Sequence, residues 1–198
     1  MPLKVLRPSV MVAREWFKER DQVEWQRTKQ QVFTRDGYTC TYCRLVAQKF
    51  MQVNHIGAED DHSPDNLETV CRACHSVLHL GISAMKGTLT VFECHPEVEN
   101  MAAVVAHTRA LVARNVSWSE IEQRLLAQFM RPGGICATPE ASVEWANKLL
   151  RTIRPPAFRG YLPAGYAVLF HEEGDWNGFS ERIWKWQCLR GSHYRKGE

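Results

Sequence analysis

Long apolar runs are missing from this 198-residue chain. The longest, Met101–Val105 and Tyr161–Phe170, fall well short of the roughly 20 residues that a bilayer-spanning helix needs, so no membrane insertion is expected. Glycine and proline are scarce, at 12 and 9 residues, and no repeat or low-complexity tract occurs. Fibrous and wholly disordered architectures are thereby excluded. Strong charge of one sign is absent too. A net +3 is compatible with nucleic acid but does not imply it, because phosphate binding depends on a local basic face. No N-terminal stretch has the charged, apolar and small-residue layout of a secretory signal, and four of the seven cysteines fall in C-x-x-C pairs, so a reducing, cytoplasmic setting is expected. What is present, 44% hydrophobic and 24% charged residues, suits one ordinary domain or a small metal-stapled module with a larger companion.

The stretch from Cys40 to His79 organises the chain. It reads CTYC, then CRAC after residues 44–70, then HSVLH, with VNHI and DNLETV between. Each C-x-x-C pair supplies two sulfurs from one tight knuckle, so Cys40, Cys43, Cys71 and Cys74 form a closed tetrahedral set. With no position left for water, the zinc it calls for is structural. Four unrelated buried thiols are the alternative. His75 and His79, four apart, share one helix face, a spacing that suits two ligands of one cation, the alternative being that His79 is a plain polar residue on an exposed helix. Cys74 points about 100° away from His75. One helix can therefore carry zinc on one side and a second site on the other, with Asn54 and His55 on a facing strand.

In chain order, the sequence predicts a short strand at Leu3–Leu6 broken by Pro8-Ser9, a helix from Val12 to Arg35 ended by Asp36-Gly37, and strands at Phe50–Ile56 and Leu67–Val70 around a polar loop. The acidic loop Glu59–Asp65 would repel phosphate on a cleft, or add a ligand. A knuckle then feeds a helix from Cys71 to Leu80 stopped by Gly81. A strand at TLTVFEC, a helix over Glu97–Asn115, and a further helix through Phe129 capped by Ser117 and Glu120 come next. Arg131–Gly134 reads as a linker, Pro139–Ile153 as a helix and Tyr161–Phe170 as a hairpin arm. In the tail, Trp184 and Trp186 alternate as strand core residues do, although its basic and aromatic mixture also suits nucleic acid. Cys94, Cys136 and Cys188 read as buried thiols.

The ordered set VNHI, DN and CHSVLH inside two C-x-x-C knuckles, preceded by a helix ending TRDGYTC, resembles the HNH nucleases of ββα-metal fold over about residues 25–81. The resemblance implies that His55 is the general base activating water against a phosphodiester, that Asn66 holds loop and base by hydrogen bonds, and that His75 and His79 bind a catalytic divalent cation, Mg2+ or Mn2+. Asn54 stands where Asp or His is more usual and would add a neutral amide oxygen. The partner is then nucleic acid, in the first instance DNA. A looser resemblance covers residues 3–115. The LKVL strand, the helix into RDGYTC, the GTLTVF strand and the apolar helix behind it look similar to the IcmJ/DotN family of type IVB secretion coupling complexes, which implies a non-catalytic docking scaffold with protein partners. The expected fold is α+β: a zinc-stapled ββα-metal module at 37–81, an N-terminal strand and helix at 1–36, a strand and helices packed on the module at 82–130, and a mixed, mainly helical extension at 131–198.

Overall fold

The computed structural model describes residues 4–12 and 22–171. Its elements are β1 (Ser9–Met11), α1 (Gln22–Arg35), β2 (Met51–His55), a 3-10 turn (Pro64–Asn66), β3 (Leu67–Cys71), α2 (Arg72–Leu78), α3 (Leu80–Met85), β4 (Leu89–Glu93), α4 (Ala102–Ala113), α5 (Trp118–Phe129), α6 (Pro139–Thr152), β5 (Arg159–Tyr161) and β6 (Tyr166–Phe170). The strands make three antiparallel pairs, β1 with β5, β2 with β3 and β4 with β6. The fold is thus α+β, with the expected ββα module formed by β2, β3 and α2.

β2 and β3 pair in register from Met51 opposite Cys71 to His55 opposite Leu67. The TRDGYTC segment fastens α1 to this hairpin. Arg35 donates to the carbonyls of Pro64 at 2.6 Å and Leu67 at 2.7 Å, while Asp36 Oδ2 accepts from Thr69 N at 2.9 Å. Burial works against a charged Asp36, yet the bonds from Arg35 and Thr69 hold its carboxyl below the usual range. Gly37, at φ 58, takes the left-handed turn that ends the helix.

One apolar core runs through both halves of the described chain. It joins Leu6 and Val10 to Val77, Leu78 and Leu80 of the module, to Val104, Leu111, Ile121 and Leu125 behind it, and to Ala167–Phe170 near the end. Residues 131–171 therefore return to the molecule. The expected linker is a turn clasped to β4: Arg131 Nη2 lies 2.6 Å from Glu93 Oε2, and a Cβ on Gly134 would meet the carbonyls of Arg131 and Glu93 at 2.9 and 3.0 Å. Glycine is required there by close backbone approach.

Several expectations need correction. The first strand lies at Ser9–Met11 rather than Leu3–Leu6, since its pairing partner is β5 far along the chain. Gly81 does not stop the metal-module helix. The break falls at His79, and α3 continues through Gly81, where a Cβ would meet Ala146 of α6 at an ordinary 3.6 Å. Residues 161–170 are no hairpin, because β5 and β6 pair with different strands. Cys94 is buried as expected, but Cys136 is exposed. Residues 13–21 of the long N-terminal helix, Cys188 and the tail with Trp184 and Trp186 lie outside the described residues.

Candidate metal and phosphodiester site

Local turns bring the four cysteines together. Arg44 N donates to Cys40 O at 3.0 Å and Arg44 adopts φ 59, closing the first knuckle. Cys71 caps α2, its sulfur accepting from Cys74 N at 3.5 Å. The four Sγ atoms lie within 4.8 Å of one another, with Cys43 and Cys71 3.6 Å apart. Zinc–sulfur bonds of about 2.3 Å set tetrahedral sulfur spacings near 3.8 Å, so the set fits a structural zinc. Hydrogen bonds from Cys40, Cys71 and Cys74, with the charge of Arg109, hold the Cys43 thiol far below its ordinary pKa, in keeping with a thiolate ligand.

On the other side of α2 a second constellation assembles. The His75 and His79 rings lie 4.4 Å apart by centroid. Burial, with the charges of Arg159 and His55, pushes His79 down to about 3, and burial with the charge of His79 lowers His75 likewise. Both imidazoles are therefore neutral near pH 7, the form that ligates a cation. His55 ends β2 and is buried. Its ring stacks parallel to Trp25 at 6.2 Å, and its Nε2 lies 3.0 Å from Nδ1 of His62. Asn66 ties the intervening loop, accepting from Gly57 N at 2.8 Å and donating to the carbonyls of Ala58 and Asp61 at 2.6 and 2.8 Å.

Asn54 is placed differently from expectation. Its Oδ1 accepts from Arg159 Nη2 at 3.1 Å and its Nδ2 donates to Glu68 Oε1 at 2.8 Å. The amide oxygen that would ligate a cation is thus engaged by a guanidinium, which itself repels one. Arg159 also donates to the carbonyls of His55 and Leu78 and to Ser9 Oγ, at 3.2, 2.7 and 3.0 Å. The donor set left for a second cation is two imidazoles. Nitrogen donors suit a first-row transition ion better than Mg2+, which prefers oxygen.

Part of this region matches a known family. The HNH endonuclease family model matches residues 40–80. Residues 40–80 form an HNH endonuclease domain. No curated protein shows significant similarity to the chain. No helix among the described residues is long and apolar enough to cross a membrane.

Four residues of this constellation escaped the sequence reading in these roles. His62 lies in the acidic loop, where neighbouring carboxylates suggested only repulsion or ligation. Trp25 reads as one of several aromatics on α1. Arg159 follows a Pro-Pro break with no periodic signal. Glu68 is buried within β3, where it accepts from Asn54, from Tyr42 OH at 2.8 Å and from Lys4 at 2.9 Å. A buried carboxylate in a strand core was the one readable hint.

Proposed function

We propose that this chain is an HNH-type endonuclease that hydrolyses phosphodiester bonds in nucleic acid, DNA in the first instance. The observation that carries the reading is His55, stacked on Trp25 and bonded to His62, within electrostatic reach of the neutral His75 and His79 at the end of the adjoining helix. His55 takes a proton from water as the water oxygen bonds to phosphorus. The bond from phosphorus to the 3′ oxygen breaks, and that oxygen leaves with a proton from solvent. Asn66 keeps the loop that carries His62 in place. His75 and His79 would hold a divalent cation, Mn2+ in preference to Mg2+, and such an ion supplies stabilisation of charge on the phosphate and the leaving oxygen. Plasmid nicking in Mn2+ or Mg2+, run beside His55→Ala, tests the reading. Cleavage that falls about 100-fold or more in the variant at unchanged zinc content is expected. Equal nicking by both proteins, or none by either, sinks it.

A second reading is favoured by Arg159. A guanidinium seated on Asn54 occupies the amide that would complete a cation shell, as in a domain kept for its shape. On that reading the chain is a non-catalytic, zinc-containing scaffold of a type IVB-like secretion coupling complex, and His55→Ala would assemble with its protein partners as well as the wild type.

A further inference from the structure

The zinc cluster has a neighbour from outside the matched residues. Arg109, on α4, extends Nη2 to Cys43 Sγ at 3.4 Å and to Cys71 Sγ at 3.5 Å, one sulfur from each knuckle. α4 is otherwise a strongly apolar helix whose inward residues Val104, Val105, Thr108, Leu111 and Val112 enter the common core. A guanidinium in such a place costs desolvation free energy unless opposite charge meets it. Four thiolates around Zn2+ carry two negative charges in excess, equally costly to bury. Each charge is the other's compensation.

We infer that Arg109 is a functional part of the zinc centre, a charge and hydrogen-bond partner that lowers the electron density on Cys43 and Cys71 and so sets how tightly the zinc is held and how readily its sulfurs react. An N–H···S bond withdraws density from the thiolate, which makes the sulfur a poorer nucleophile and slows its protonation and departure from the metal. Geometry makes the effect selective. Cys43 is half-buried whereas Cys40, Cys71 and Cys74 are buried, so Cys43 is the sulfur that a reagent from solvent meets first, and it is one of the two that Arg109 covers. The contact spans 66 residues to Cys43 and 38 to Cys71. It makes α4 part of the metal centre, and the inference holds whether the HNH domain cleaves nucleic acid or only docks proteins.

The test uses the full-length zinc-loaded chain and three variants, Arg109→Met, Arg109→Lys and Arg114→Met, the last removing an exposed charge just beyond the same helix. Zinc transfer to a chromogenic chelator should be about 10-fold or more faster in Arg109→Met, intermediate in Arg109→Lys and unchanged in Arg114→Met. Iodoacetamide labelling, mapped by mass spectrometry, should rise first at Cys43. In Co2+-substituted protein the thiolate-to-cobalt absorption should move to longer wavelength in Arg109→Met, because sulfur freed of the N–H donors gives up its electron at lower energy, and by a smaller amount in Arg109→Lys, whose ammonium keeps the charge but not the guanidinium's reach to both sulfurs. A merely space-filling Arg109 would not move that band. Should Arg109→Met fail to fold, Arg109→Lys decides alone. A cobalt spectrum and zinc-transfer rate in Arg109→Lys equal to wild type overturn the inference.

Discussion

The two faces of α2 make a controlled comparison, since one short helix supplies ligand-type residues to both. Toward the knuckles, Cys74 joins three other sulfurs in a closed set whose charge is met by Arg109. Toward the loop, His75 and His79 pair with each other within reach of the charge of His55, in a set that gains a guanidinium, Arg159, on the amide of Asn54. Positive charge beside thiolates stabilises a cation site, because the sulfurs bring more negative charge than the metal cancels. Positive charge beside neutral imidazoles opposes one. The same type of side chain thus has opposite consequences on the two faces, and the sign follows from the charge of the ligands.

The largest effect that would sharpen this contrast is loss of a thiolate. Cys71→Ser removes a ligand, the cap of α2 and one acceptor of Arg109, and should cost more than about 5 kcal/mol, seen as lost zinc and lost amide-exchange protection over residues 37–81. A fully protected, zinc-free variant would show that the core alone holds the module. On the other face His55→Ala should leave zinc content and melting temperature nearly unchanged while removing about 100-fold or more of any cleavage. A loss of zinc instead would mean that the two faces are not separable.

Arg159→Ala comes next in size. It strips donors from the carbonyls of His55 and Leu78 and from Asn54 Oδ1, with an expected destabilisation on the order of 3 kcal/mol in urea unfolding. It also unblocks Asn54, so Mn2+ titration followed by electron paramagnetic resonance should show tighter binding than wild type. Unchanged Mn2+ affinity would remove Arg159 from the account of that face. The smallest effect is a slope in pH. Folded His79 titrates at about 3 against 6.5 in a free imidazole, so between those values the unfolded chain binds a proton that the folded chain does not. Stability is full above 6.5 and falls as pH drops through that window. His79→Gln should flatten the decline in melting temperature relative to wild type, and parallel curves would refute the assignment.

Much of the HNH domain, and the start of α5 outside it, was readable locally. The β2–β3 pair, α2, the Ser117 cap on α5, the cysteine set and the loop held by Asn66 all depend on residues whose spacing along the chain is itself the geometry: two sulfurs per knuckle, two imidazoles per helical turn, an asparagine next to the loop it ties. The bounds of the first strand, the helix break at His79 and the partners of β5 and β6 were not readable. Each is decided by an element distant in sequence, and a short strand carries too few residues to name its partner.

By itself the sequence determined that four sulfurs come together, that His75 and His79 meet one turn apart where the helix ends, and that His55 ends the preceding hairpin's first strand, because 3.6-residue and two-residue periods convert spacing into direction. Only the tertiary structure decided the charges that surround those groups. Arg109 reaches the sulfurs from α4, and Arg159 reaches Asn54 across 105 residues, each brought there by packing of a whole element against the common core. Electrostatic surroundings are a property of distance in space. Nothing in local spacing reports which distant cation the folded chain will place beside a ligand.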